Sequence, residues 1–426
     1  MTVSGAAVRS SAVRRRAGRC CARLAVGALL SGGTLLSGAE LATRLQWYAV
    51  EQHWQEKTRL PPLTRPQLTA AIEAARTYML NHQRAAGNFV YEYDMVLNTV
   101  SEDDNPVRQA GALWALAVLY RERPTRETRT ALIRGLDFYF RITRALPCGQ
   151  SAPVYPGEST VKTGTVALLC LALTDFCRAE KKFVTRAGRG LYTAWLDKYL
   201  DYLRAMELSN GGWNREYYLE LNESDPEPSP YVDGEALLAY SRAARYLGHD
   251  ELVPTVERFA PKLAARYTVD AWADGLNDST TAGFFQWGCM AFAEHVQAGW
   301  KDAELLADAS LALAWWAVYQ RRVQERTGNT AYAAEGLLAA ARTAADCGDQ
   351  PTADRLLAVV RPMLTRLISW QAGGPLHEYN EFLVRNRTNR VVGGVMSHAD
   401  SGIIRIDVVQ HQLHAMLMAL ELLFPE

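Results

Sequence analysis

The chain has 426 residues, 49% hydrophobic and 22% charged, which is an ordinary globular composition. Its 46 basic and 46 acidic residues cancel, so no global field gathers nucleic acid or an anionic membrane surface. Of the seven cysteines, Cys170, Cys177, Cys289 and Cys347 sit in apolar stretches as buried thiols do, and the spacing gives neither a zinc site nor a disulfide ladder.

The N-terminus reads as an export signal. Residues 1–39 contain no acid, and Arg9, Arg14, Arg15, Arg16, Arg19 and Arg23 precede an uncharged, mostly apolar stretch at 24–39. That stretch is shorter than the about 20 residues a spanning helix needs, and suits the apolar region of a signal peptide. Ser37-Gly38-Ala39 offers the small residues a signal peptidase reads. The expectation is a signal peptide or signal anchor that places the body outside the cytoplasm: periplasmic, secreted or membrane-anchored. Membrane contact would run through this segment if it is not cleaved. An Arg- and Ser-rich organelle presequence is the alternative. Residues 40–66 read as a linker and lead-in segment, and 67–426 as a single domain.

The body reads as helix nearly throughout, because apolar residues recur at helical rather than alternating spacing. A first helix is expected over 67–83. Pairs follow at 105–121 with 127–144, 162–180 with 190–208, 231–247 with 250–267, 283–298 with 302–325, and 330–346 with 351–370. A last helix is expected over 404–424. The first members of the pairs are apolar nearly all round ("GALWALAVL", "TVALLCLAL", "GEALLAY"), so they must be buried on most sides. The second members carry charge on one face, as half-exposed outer helices do. Alternation of the two kinds predicts two concentric layers. Loose repeat spacing and long loops favour a closed ring over an open solenoid.

Short turns after several helices carry a resemblance. Gln83 leads into Gly87-Asn88-Phe89, and Glu207 leads into Gly211-Gly212-Trp213. Gln371 leads into Gly373-Gly374 without the aromatic. These look like the Gln-Trp repeats of terpenoid cyclases and their α/α-toroid relatives, in which glycine permits the turn and the aromatic packs over the helix end. The pattern is also similar to six-hairpin carbohydrate-active enzymes and sugar 2-epimerases. The resemblance implies an all-α, (α/α)6-type toroid of inner and outer helix pairs. The Asp-x-Asp-Asp motif of squalene-type cyclases is absent: Asp103-Asp104 follows Glu102 and precedes Asn105.

In such a ring the N-terminal ends of the inner helices face one mouth, so polar residues there converge. That filter selects Asp104, Asn105 and Arg108; Lys162; Tyr231, Asp233 and Glu235; Gln286 and Trp287; Tyr332 and Glu335; and Arg405, Asp407, His411 and His414. The segment 87–94 adds Tyr91 and Asp94. Acids with aromatics around one mouth predict a sugar cleft, since aromatics stack on sugar rings and carboxylates act as acid and base. The expected catalytic residues are Asp104, Asp233, Glu235, Asp407 and His411, with Asp407 orienting the imidazole four residues on. Tyr91, Asp94, Arg108, Tyr231, Trp287, Glu335 and Arg405 are the expected substrate-binding set, Arg108 and Arg405 as anchors for a substrate carboxylate. Each carboxylate also has a purely structural reading as a cap or ion-pair member. No cofactor is expected, and no metal, because Asp407, His411 and His414 lack a flanking ligand motif. No GxSxG, P-loop or HExxH motif occurs. The leading expectation is an exported hydrolase, lyase or epimerase acting on a polysaccharide or glycoconjugate. A non-catalytic glycan- or protein-binding toroid and a terpenoid-cyclase-like enzyme on an isoprenoid are the alternatives.

Overall fold

A computed structural model describes residues 60–180, 186–273 and 275–425. The expected export segment lies outside the described residues. Thirteen α-helices are present among those described: α1 Arg65–Asn81, α2 Pro106–Glu122, α3 Arg126–Ile142, α4 Thr163–Glu180, α5 Arg186–Ala205, α6 Pro230–Leu247, α7 Val253–Ala265, α8 Ser279–Ala298, α9 Ala303–Trp315, α10 Ala331–Asp346, α11 Gln350–Ser369, α12 Glu381–Arg385 and α13 Ile406–Leu423.

Local chemistry sets where they start. Thr64 and Gln67 form a reciprocal capping box on α1. Asn105 caps α2 ahead of Pro106, and Ser229 caps α6 ahead of Pro230. Asp278 caps α8 and Asp349 caps α11. Helix α2 is buried without a break from Gln109 to Tyr120, whereas α3 buries one stripe of Ala131, Leu132, Gly135, Leu136, Phe138 and Tyr139. The first pattern needs neighbours on every side and the second needs them on one.

The inner helices pack in the order α2, α4, α6, α8, α10, α13, and α13 packs back on α2. The ring is therefore closed, as expected. Helices α3, α5, α7, α9 and α11 each cover the inner helix before them. The outer partner of α13 is α1, from the other end of the chain. Two outer helices leave α geometry before their expected ends and continue as π-turns. Helix α7 passes into a π-turn at Arg266–Asp270, and α9 into one at Trp316–Gln320, after which Arg322 takes φ 48° and ends the helical run.

The Gly-aromatic turns form as the resemblance implies, and a circular logic joins them. Gln83 at the end of α1 donates its amide to Ala131 O on the next outer helix, α3. Gln371 at the end of α11 donates to Ala71 O on the next outer helix, α1. Glu207, after α5, accepts from Arg258 on α7. Phe89 and Trp213 bridge back to Gln83 and Glu207, while Gln371 bridges Val395 instead of a local aromatic. The inner helices hold the same turns. Phe89 N–H donates to Gln109 Oε1, and Trp213 N–H donates to Asp233 Oδ1.

Among the described residues, eight strands of two or three residues lie in the connections and were not expected from the sequence pattern. β1 Glu92–Asp94, β2 Thr99–Val100 and β8 Ile403–Arg405 make an antiparallel sheet in the order β2-β1-β8, with Tyr93 opposite Ile404. β3 Thr143–Ala145 pairs with β4 Ser151–Pro153, and β5 Thr160–Lys162, β6 Glu216–Tyr218 and β7 Glu223–Ser224 form a third sheet in that order. The β1–β2 and β6–β7 hairpins are built alike. In each, a Tyr hydroxyl (Tyr93, Tyr217) bonds an Asn (Asn98, Asn222) held at φ 57° or 53°. Strand β1 also pairs with β8, which leads into α13, so the early and late parts of the ring meet in this sheet as well.

Closure has one exacting point. Gly393 sits at φ +89°, and a Cβ there would lie 1.7 Å from Ala74 O of α1. A methyl group at that position displaces α1 or unravels the turn. Gly393→Ala is therefore expected to lower the melting temperature by several degrees, or to prevent folding, through overpacking and strain of about 3 kcal/mol or more. Gly248→Ala, where the φ is +84° and no atom lies within 4 Å, is the control and isolates the strain from the clash.

Candidate functional site

A cavity of about 780 Å³ opens at the N-terminal ends of the inner helices, and all six line it. Helix α2 contributes Arg108, α4 Gly164, α6 Tyr231 and Glu235, α8 Gln286 and Trp287, α10 Tyr332, and α13 Asp407, Gln410 and His411. Convergence at one mouth, expected from the ring, is thus present for Arg108, Tyr231, Glu235, Trp287, Arg405, Asp407 and His411.

At one side stands a buried acid–base pair. His411 Nδ1 lies 3.1 Å from Glu335 Oε1, and Glu335 is 0% exposed. Gln286 Nε2 donates to the other oxygen, Glu335 Oε2. With Nδ1–H given to Glu335, Nε2 is the nitrogen left for the cavity. Burial pulls the His411 imidazole down, but the charge and hydrogen bond of Glu335 outweigh it and hold the group above its ordinary value. Burial pushes the Glu335 carboxyl up, with His411 and Gln286 opposing. Trp287 and Tyr332 stand edge-on to the imidazole, with ring centroids 6.3 and 6.5 Å away.

Glu235 is the second group. It is 4% exposed, its Oε2 has no hydrogen-bond partner, and burial pushes it up to about 8. The carboxyl is therefore neutral at pH 7 and can donate a proton. Gly164 makes room for it, since a Cβ on that glycine would sit 2.4 Å from Oε2.

Several expectations are corrected by this geometry. Asp407 does not orient His411. It takes a bidentate contact from Arg405, 3.0 Å to Nε and 2.8 Å to Nη2, and lies 3.3 Å from Arg108 Nε. Glu335, expected among the substrate-binding residues, is instead the imidazole's partner behind the cavity wall. Asp233 is 0% exposed and does not line the cavity. Its carboxylate accepts from Trp213 N–H, Arg266 Nη1 and Tyr267 OH, so it anchors a turn. Asp104 lies outside the lining too, accepting from Gln109 Nε2 and Tyr155 OH. Asp94 caps its own hairpin by accepting from Val96 and Leu97 N–H, and Tyr91 is buried with its hydroxyl taken by Arg108. His414 is driven down to about 3 by burial, with His411 and Arg242 adding to it, and packs edge-on to Trp114 at 4.2 Å. It is a neutral part of the barrel centre.

The charge of the mouth also differs from the expected ring of acids. Arg108, Lys162, Arg215, Arg321, Arg326 and Arg405 line it, against the carboxyls of Glu235 and Asp407. Arg215, Arg321 and Arg326 escaped the sequence reading because they lie in loops that approach the mouth rather than in inner-helix turns. Ser229, the N-cap of α6, and Asn329, just before α10, were missed although extending the filter to the residues before each inner helix finds both. Among the described residues no cluster of three His, Cys, Asp or Glu side chains could hold a metal ion.

Comparison with known proteins starts from this geometry. No family model matches the chain, and no curated protein matches its sequence. Solved structures match in fold. A D-mannose isomerase superposes with a TM-score of 0.58 at 12% identity, over 84% of this chain and 98% of its own. Cellobiose 2-epimerase from Bacillus thermoamylovorans gives 0.56 at 9% identity, over 83% and 100%. The α-1,6-mannanase of Salegentibacter, solved as an inactive variant with two adjacent aspartates replaced, gives 0.52 at 10% identity, over 84% and 99%. The chain is an α/α toroid. Likeness at these identities is one of architecture, and the toroid's own cavity carries any argument about its chemistry.

Glu235 makes the site testable through stability. A carboxyl raised to about 8 holds its proton in the folded state while the unfolded chain releases it near 4.5. Folding stability from this group is therefore full below about pH 4.5 and is lost as pH rises to about 8. Glu235→Gln removes that loss. Thermal melts of the two proteins are expected to diverge from pH 5 to pH 8, the variant gaining on the order of a few kcal/mol, and to run parallel above pH 8.

Proposed function

We propose that the protein is a carbohydrate-active enzyme that moves protons on a bound sugar, as an isomerase, epimerase or lyase does. The observation that carries the reading is His411, backed by the buried Glu335, on a cavity also lined by the neutral carboxyl of Glu235. In this mechanism His411 Nε2 removes a proton from the carbon next to a sugar carbonyl or carboxyl group. Glu335 stabilises the imidazolium that forms. Glu235 donates its proton to the oxygen on which charge develops, and Trp287 and Tyr231 offer faces to the sugar ring. Returning the proton to the neighbouring carbon, while Glu235 takes a hydroxyl proton back, completes an isomerisation, and delivering it to the opposite face of the same carbon completes an epimerisation. In a lyase the oxygen on the next carbon leaves with the proton from His411 as Glu235 regains its own.

Three comparisons support the class: the solved structures of like fold named above are an isomerase, an epimerase and a glycosidase. Hydrolysis by paired carboxylates is less well supported here. The chain's adjacent aspartates, Asp103 and Asp104, do not line the cavity, and Asp407 is held by two arginines. An isoprenoid substrate fits poorly in a mouth lined by six cations.

The reading is tested by incubating the protein with a panel of reducing sugars and uronides in D2O and following exchange of carbon-bound hydrogen by NMR. Exchange at the carbon beside the carbonyl or carboxyl group is expected for the true substrate. His411→Gln should lower the rate about 10²–10⁴-fold. In Glu335→Gln the acid limb of the kcat/KM profile should move to lower pH, because the carboxylate that holds His411 up has gone. Binding without exchange would support the non-catalytic toroid instead, and hydrolysis without exchange a glycosidase.

We further propose that residues 1–39 carry the body out of the cytoplasm, on the strength of their basic start and apolar run. Cell fractionation should find the full chain outside the cytoplasm and a chain lacking residues 1–39 inside it. Equal retention of both would remove this part of the reading.

A further inference from the structure

The cations of the mouth fall into two groups, and the division points to a ligand. Arg108 and Arg405 share Asp407, at 3.3 and 2.8 Å. Lys162 pairs with Glu216, and Arg215 lies 2.5 Å from Asp225. Arg321 and Arg326 are different. Among the described residues, the side chain of Arg321 reaches the amide oxygen of Asn277, at 3.5 Å, and stands 5.9 Å from the centre of the Trp316 ring. Arg326 donates to the hydroxyl of Tyr332 at 2.8 Å. Among the described residues neither has a carboxylate within salt-bridge distance. The neighbouring Glu325, which could have neutralised them, pairs with Arg322, whose side chain does not line the cavity.

Both arginines are delivered by one short segment. The π-turn at Trp316–Gln320 ends α9, Arg322 takes φ 48°, a 3-10 turn follows at Val323–Glu325, and the bridge from Gly328 to His398 closes the loop before α10. That construction places Arg321 and Arg326 on the cavity while Arg322 and Glu325 occupy each other. Six cations line the mouth, and three carboxylates pair with four of them: Asp407 in the lining, and Glu216 and Asp225 outside it. Glu235 adds no negative charge at neutral pH. An excess of positive charge concentrated in a concave site attracts and holds an anion, and guanidinium forks match the oxygens of carboxylate and phosphate.

We infer that the ligand of this cavity is an anionic sugar, whose carboxylate or phosphate group is held by Arg321 and Arg326. The inference rests on the sugar-site reading given above and names the class of sugar. It also separates this chain's site from one built for an uncharged oligosaccharide. Tyr332 links the two functions, because its hydroxyl is bound by Arg326 and its ring stands beside His411. The anionic group therefore sits on the α10 side of the imidazole and fixes which carbon of the sugar faces Nε2.

The test is binding of the full chain to an array of neutral, uronate-containing and phosphate-containing glycans, followed by calorimetry on the glycans retained. Uronates or phosphorylated sugars are expected to bind, and the two arms tell which group is recognised. Affinity should fall on raising salt from 50 to 500 mM. It should fall at least about tenfold in the Arg321→Gln, Arg326→Gln double variant. Thermal melting of the variant at unchanged temperature excludes loss of fold as the cause, and Arg321→Lys with Arg326→Lys should recover part of the affinity. Retention of neutral glycans alone, no retention of any anionic glycan, or undiminished affinity in the double variant overturns the inference. Proton exchange on a neutral sugar would keep the enzyme reading and end this one. Anionic binding without exchange or turnover would do the reverse.

Discussion

An inner helix that is apolar all round has one requirement: packed neighbours on every side. In α2, α4, α6, α8, α10 and α13 that requirement is met only by a closed ring, each helix flanked by two others and backed by an outer one. Everything else follows from closure. Six helix N-termini are forced to one mouth, a cavity is left at their centre, and the long connections gather around it. The pairing of α13 with α2, and of α1 with α13, is therefore what turns a row of hairpins into a site.

The same buried positions that hold the ring together also decide which acids are free for chemistry. Asp233 and Glu235 are two residues apart on α6, and their environments separate them. Asp233 faces outward into a turn and meets Arg266, Tyr267 and a backbone N–H, so both of its oxygens have donors. Glu235 faces inward toward Gly164 and finds no partner for Oε2, so it keeps its proton. Asp407 and Glu335 divide likewise. The first is bound between two arginines, and the second, on a neighbouring helix, faces the imidazole that the first could have reached by helical spacing alone. A buried carboxylate takes the donor that burial places beside it, and proximity along the helix does not outrank that.

Much of the architecture was legible in the chain. Apolar surface around α2, α4 and α6 set the inner layer, one-sided charge on α3 and α11 set the outer, and the Gly-aromatic segments marked the turns at Phe89 and Trp213. Seven of the expected site residues line the cavity because they start inner helices. Asp104 and Asp233 also start inner helices, yet serve the ends of those helices, since a residue in the first turn can point along the loop as well as into the ring. The exchange of Asp407 for Glu335 as partner of His411 was not legible, because it depends on how α10 is rotated against α13. Arg321 and Arg326 were invisible for another reason. Their position depends on a π-turn and on one residue at positive φ, and neither leaves a periodic signal.

By itself the sequence determined an all-α ring of two layers and the set of helix ends that face one mouth, because burial on all sides and period 3.6 are written residue by residue. Tertiary structure alone decided that α13 closes the ring on α2 with α1 as its outer partner, that Glu235 stays neutral, that Glu335 holds His411, and that cations outnumber acids at the mouth. Those are matters of which charges meet across tens or hundreds of residues. Electrostatic pairing is set by distance in space, and distance in space is fixed only when the ring has closed.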